Sequence, residues 1–252
     1  MRLLHVTGVI HPERAGVYYQ LPPIRLQGHI VGEVFATVFA SQITASIKIE
    51  QTDITDSELP HYFQDFLSGL VNMMGFALGY AYDVELIGLI DPAQEKHIVF
   101  GVDFPEGARE PKQPELLTDL IMASQHPLSW YFFHALADVK RAARSFHDSG
   151  FYCYRAIESV MQFFKVFDEE QPLSDNKSWE KMRDTLAVSK DEILYVKEKA
   201  DPLRHGKPGD MKEEERSQLI KITVSILDKF CRFLVKSSSD NLPLFHHLSR
   251  VK

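Results

Sequence analysis

The chain has 252 residues, with 28 Lys+Arg against 35 Asp+Glu (net charge −7) and two cysteines. That length gives one large domain or two modest ones with a core that needs no covalent help, and apolar and charged fractions of 44% and 25% are ordinary for a globular protein. Two cysteines argue against a disulfide scaffold, and no apolar run approaches the roughly 20 residues needed to span a bilayer.

The charge is uneven: residues 1–110 hold 6 Lys+Arg and 14 Asp+Glu, a net −8, and the remainder 22 and 21, a net +1. A broad electrostatic footprint for DNA is therefore absent. Cys153 and Cys231 both fall within helix-like apolar patterns, as buried thiols do. Met1–Gly8 has no apolar signal-peptide region. The expectation is a soluble cytoplasmic protein with no membrane contact.

In chain order, Leu3–Ile10 and Val34–Ala40 read as strands, with Pro22-Pro23 and Gly28 punctuating the connection. Ile43 to Glu50 alternates strictly, which places Ile43, Ala45, Ile47 and Ile49 on one face of a half-buried strand. A helix follows, capped at Asp56 or Ser57 and with Pro60 in its first turn. Its stripe is Tyr62, Phe63, Phe66, Leu67, Leu70, Val71 and Met74. From Val71 to Leu78 it is apolar nearly all round, which predicts burial. Tyr82–Ile90 and His97–Val102 read as two strands joined at Asp91-Pro92. This half carries no Gly-rich phosphate loop, HExxH pair or GxSxG elbow. His5, His11, His29, His61 and His97 are scattered, as surface or singly hydrogen-bonded groups are, and no metal or cofactor is expected.

Asp103 to Pro114 is rich in proline and charge without apolar period, which places a domain boundary near residue 110. Beyond it the period becomes 3.6. Helices are predicted over Glu115–Ala123, Leu128–Asp148 (stopped by Gly150), Phe151–Phe167, Trp179–Leu186, Ile193–Lys199 and Met211–Lys236. Ser189 and Glu192 form a capping-box pattern before the fifth of these. The last carries Leu219, Ile222, Ile226, Phe230 and Phe233, and a loose tail follows from Ser237. The fold class is α+β: a mostly antiparallel sheet with one main helix over 1–110, then an antiparallel helical bundle over 111–252.

One polar constellation stands out. Ala200 to Gly209 contains two prolines and two glycines, which predicts an ordered turn between helices that displays Arg204 and His205. On the helix starting at Phe151, the buried stripe is Ala156, Ile157, Val160, Met161 and Phe164, and Arg155, Glu158 and Gln162 share its flank. A carboxylate beside a core stripe requires a partner, and Arg204 and His205 are the natural ones. Elsewhere, His134 and Asp138 at i, i+4 read as a helix-surface pair, His147-Asp148 ends the long helix, and Lys140, Arg141 and Arg144 form a small basic face. His246-His247 lies in the tail.

The words Arg155-Ala156-Ile157-Glu158 and Leu203-Arg204-His205-Gly206 give the second half, roughly 128–236, a motif that resembles the HEPN superfamily of helical-bundle domains. That family includes metal-independent ribonucleases, catalytically silent partners and nucleotide-binding modules. The resemblance implies RNA or a nucleotide as partner at the helical domain, and a homodimer formed through the bundle. It also implies His205, Arg204, Glu158 and Arg155 as site residues. His205 would move the proton of an RNA 2′-hydroxyl, an arginine would stabilise the phosphate charge, and Glu158 would orient the cations. Active members carry an arginine four to six residues before the histidine; here those positions are Asp201, Ala200 and Lys199. The expectation is a degraded catalytic motif and action by binding or association, with ribonuclease activity through Arg155 or Arg204 as the alternative.

Overall fold

The alternation in Ile43–Glu50 is realised as written: Ile43, Ala45, Ile47 and Ile49 are buried along one strand. In the computed structural model, residues 1–99, 114–167, 169–207 and 211–241 are described, with side chains for all of these but 114, 115 and 238–241. The chain divides into two compact units, residues 1–103 and 104–252. The boundary read near residue 110 lies outside the described residues, as do His246-His247 and the rest of the tail beyond Asn241.

The first unit is one antiparallel sheet with a helix. Its strands are β1 (Arg2–His11), β2 (Tyr19–Gln20), β3 (Ile24–Leu26), β4 (Ile30–Phe39), β5 (Gln42–Thr52), β6 (Asp83–Asp91) and β7 (Lys96–Val99). Their order is β2-β4-β5-β1-β6-β7, with β3 also on β4, and each pairing is antiparallel. The β4–β5 hairpin turns at Ala40 (φ 49°) and Ser41 (φ 64°), the left-handed backbone that tight hairpins require, without the usual glycine. Tertiary bonds hold it there. The buried Ser41 hydroxyl accepts from Val17 N–H at 3.0 Å and donates to the Glu13 carbonyl at 3.2 Å.

Helix α1 (Leu59–Leu78) crosses the sheet, burying Leu59, Phe63, Leu67 and Val71 at one-turn spacing. Gln64 stitches it to β6: its amide donates to the Val84 carbonyl at 2.9 Å and its oxygen accepts from Leu86 N–H at 3.0 Å. The predicted burial of Val71–Leu78 is wrong for most of that stretch. Val71 and Gly75 are buried, but Met73, Leu78 and above all Phe76 (90% exposed) face outward. Within this unit a single sheet lies against the helix, so one stripe is covered. No cap side chain bonds the start of α1, which begins after Glu58 rather than at Asp56 or Ser57.

The second unit is the predicted bundle: α2 (Pro114–Ala123), α3 (Trp130–Arg144), α4 (Ser149–Val166), α5 (Asp175–Leu186), α6 (Lys190–Arg204) and α7 (Glu213–Asn241). Helix α4 is its axis, packing against α3, α5, α6 and α7. Ala156, Ile157, Val160, Met161 and Phe164 are all buried, as the period predicts, and so is Phe163. Phe163 alone contacts the rings of His126, Tyr131, Phe164, Phe167, Phe230 and Phe233, at centroid distances of 4.9 to 6.3 Å.

Three helices end four or five residues from the predicted position. Helix α3 stops at Arg144, and Gly150, read as its C-terminal stop, lies inside α4. The glycine serves packing: a Cβ there would sit 2.8 Å from the Lys199 carbonyl oxygen of α6. Helix α7 continues to Asn241, so residues 237–241 are helical, not a loose tail. Helix α6 runs on through Pro202 to Arg204, five residues beyond the predicted end.

These contacts set a paired expectation. Gly150→Ala forces α4 off α6 and destabilises the chain by about 1–3 kcal/mol, as overpacking does. Gly69→Ala, with nothing within 4 Å of the new methyl, stabilises by about 0.5–1 kcal/mol through the unfolded state. Urea denaturation of both variants beside the parent checks the two signs.

Candidate functional site

The candidate site begins on α4, because its buried stripe decides where Arg155 and Glu158 point. With Ile157, Val160 and Phe164 turned inward, positions 155 and 158 fall on the two borders of that stripe. Arg155 leans toward α3 and Glu158 toward α6. Both are partly buried, so both are held by partners.

Helix α6 opens with the predicted capping box. The Ser189 hydroxyl accepts from the first turn, and Glu192 accepts from the Ser189 N–H at 3.1 Å. The helix ends in a Schellman motif. Gly206 N–H donates to the Leu203 carbonyl and Lys207 N–H to that of Pro202, both at 3.0 Å. Gly206, at φ +69°, supplies the left-handed residue that motif requires. Ala200 to Arg204 is therefore helix, not turn. Pro202 falls late enough that only its own missing N–H is lost before the helix closes. His205 is the C-cap residue and its side chain is exposed.

The acidic flank of α4 does face the α6 corner. Arg204 Nη1 lies 3.8 Å from Glu158 Oε1 and 3.8 Å from Asp201 Oδ1. Its guanidinium also sits over the ring of Tyr154, 5.5 Å from the centroid, and Tyr154 stacks near-parallel on Trp179 of α5. Glu158 is pushed above the ordinary carboxylate range. Burial is the main cause, Arg204 and Lys197 oppose it, and Asp201 adds to it. Tyr154 is raised as well, chiefly by burial.

Arg155 does not join this group. Its Nε donates to Asp138 Oδ2 at 2.7 Å and its Nη2 to Asp138 Oδ1, a two-point fork across the α3–α4 groove. Arg141 donates to the same carboxylate at 2.8 Å. The single cluster of a carboxylate, two guanidiniums and an imidazole is thus split in two. Lys199, which stands where the HEPN pattern has arginine, is also engaged: its Nζ pairs with Glu215 of α7 at 2.5 Å.

Asp138 is the residue that sequence reasoning placed wrongly. It is 4% exposed, not a surface partner of His134, whose ring lies edge-on to Trp130. The signal was present: Asp138 falls in line with Ala135 and Ala142 on the buried stripe of α3. An acid there must find a cation. Among the described residues, no three His, Cys, Asp or Glu side chains are placed to hold a metal ion, and no helix is long and apolar enough to cross a membrane. Among the scattered histidines of the first unit, His5 contacts Ser46, His11 contacts Glu85 and His29 contacts Asp53.

Both units match one family. Residues 4–100 match the N-terminal domain, and residues 117–235 the C-terminal domain, of a family described as a domain of unknown function (DUF8168). No curated protein and no solved structure matches the chain. Neither DUF8168 description names a HEPN domain.

Two outcomes follow from the site's electrostatics. Asp138→Ala leaves two guanidiniums without their shared acceptor and costs about 2 kcal/mol. That lies below the cost of breaking a fully buried pair, because Arg141 and Arg155 remain partly solvated; thermal melts of the variant check it. Glu158 has a raised folded pKa, so its ionised form is the disfavoured one in the fold. Wild type then loses stability as pH rises from the ordinary glutamate range through the folded pKa, and Glu158→Gln does not. Melting curves between pH 4 and pH 7 should show the variant gaining on wild type as pH rises; the opposite trend would contradict burial as the cause of the shift.

Proposed function

We propose that this is a cytoplasmic protein that acts by binding or association through a HEPN-like helical unit, with its Arg–His corner serving structure rather than catalysis. One observation carries the reading: every cation of the candidate site faces a carboxylate. Arg155 is forked on Asp138, Lys199 is paired with Glu215, and Arg204 lies between Glu158 and Asp201. Phosphate-transfer chemistry needs preorganised positive charge aimed at the reacting group, and a neutralised guanidinium supplies little of it. The buried thiols of Cys153 and Cys231 fit a reducing compartment. Burial pushes Cys153 up to about 12, so it is an inert group.

A ribonuclease is the second reading, favoured by the exposure of His205 beside a partly exposed Arg204. One experiment separates the two. Full-length protein is incubated with mixed RNA in EDTA, beside His205→Ala and Arg204→Ala. The expected result is intact RNA in all three samples, with Arg204→Ala lowering Tm by a few degrees. Cleavage by wild type that vanishes in the variants would overturn the binding reading.

A further inference from the structure

Helix α1 of the sheet unit carries a second apolar line that its own sheet does not cover. The sheet-facing line runs through Leu59, Phe63, Leu67 and Val71. Phe66, Gly69, Met73 and Phe76 follow one another at intervals of three, four and three residues, the spacing that keeps side chains on one stripe of a helix. Phe66 is partly buried at the start of this stripe. Beyond it the stripe opens to solvent, with Met73 62% and Phe76 90% exposed. A methyl placed on Gly69 would meet nothing within 4 Å, so a gap separates the rings and chains on either side of it.

The charge of the region sets it apart as well. Residues 1–103 hold 5 Lys+Arg and 12 Asp+Glu, a net −7, yet residues 66–82 contain no Asp, Glu, Lys, Arg or His. Two such acidic units repel over most of their surfaces, and this stretch lets them meet without opposing carboxylates. The order of the stripe is also a palindrome. About an axis at position 71, residue 66 is the counterpart of 76 and residue 69 of 73. Two copies of α1 laid antiparallel about that axis set Phe66 against the partner's Phe76, and Met73 against the partner's Gly69. The same two pairs recur on the other side of the axis. A closed two-fold interface requires this self-complementarity, because each contact of i with j is answered by j with i. Ring then meets ring, and a flexible methionine enters the space that a glycine leaves. A foreign helix would need an apolar stripe, but not a palindromic one.

From this symmetry we infer that the outer stripe of α1 is a homodimer surface, on which a second copy of the chain pairs antiparallel across Gly69 and Met73. The stripe offers roughly 500 Å² per copy, so pairing removes about 1,000 Å² in total. That meets the lower limit for a specific interface and falls short of the standard size of about 1,600 Å². The dimer is therefore weak and forms with rising concentration. It is built by the sheet unit, away from the helical bundle, and stands whether or not the reading of the bundle does.

Sedimentation velocity of the full chain, from about 1 µM to about 500 µM, brackets the micromolar or weaker affinity that such an area gives. Wild type should pass from monomer to dimer over that range. Phe76→Glu and, separately, Met73→Glu should stay monomeric throughout, with circular dichroism confirming that each is folded. The register is read by cross-linking. Gly69→Cys and Met73→Cys proteins, mixed and mildly oxidised, should link to each other severalfold more than either links to itself, since the native cysteines are buried. A wild type that remains monomeric at the highest concentration would overturn the inference. So would a dimer that both glutamate variants leave intact, which would place association on the helical unit, or cross-linking with no preference for the mixed pair. Flotation of monomeric wild type with phosphatidylcholine vesicles, lost in Phe76→Glu, would assign the stripe to lipid and overturn it too.

Discussion

Phe163 fixes the position of α4, and the two polar groups of the candidate site are arranged from that helix. Its ring meets aromatic groups from the α2–α3 connection, from α3, from α4 itself and from α7. Aromatic packing of this kind sets rotation as well as depth, because edge and face contacts are satisfied in few orientations. With α4 so turned, Arg155 is delivered to α3 and Glu158 to α6. A rotation of a few tens of degrees would send both to one side, and the split between the two polar groups would disappear.

That split divides the chemistry of the unit. On the α6 side, Arg204, Glu158, Asp201 and Tyr154 make a half-buried group in which opposite charges lie close but not in hydrogen-bond contact. On the α3 side, Asp138 organises two arginines by direct hydrogen bonds. The first lies against the end of α6, and the second ties α4 to α3. A buried cation ties α7 to α3: Arg216 donates to the Ala143 carbonyl at 2.5 Å and lies over Phe146. Burial holds its guanidinium below its usual range, a cost offset by its pairing with Glu213 and its bond to α3.

In both units the departures from local expectation have a partner in space. Ala40 and Ser41 adopt left-handed backbone because Val17 and Glu13 bond Ser41 from another segment. Gly150 is helical because α6 passes too close for any side chain. Pro202 is accommodated because the Schellman closure follows it within one turn. At Ala40, Ser41 and Gly150 a tertiary neighbour outweighs a local propensity worth about 1 kcal/mol or a little more, while Pro202 is met by local bonds.

The sequence by itself determined the order of elements and the inward faces: the alternation of β5, the stripe of α4, the capping box of α6 and the change of period that separates sheet from bundle. Those are repeats along the chain, and burial enforces them residue by residue. It also brought Glu158 and Arg204 together, since an acid on a stripe border and a cation at the next helix end have few other partners. What tertiary structure alone decided was which cation each carboxylate receives. Asp138 took Arg155 from α4, Glu215 took Lys199 from α6, and Phe76 was left outward by a one-sided sheet. These choices depend on distances between segments far apart in sequence, and no periodicity encodes them.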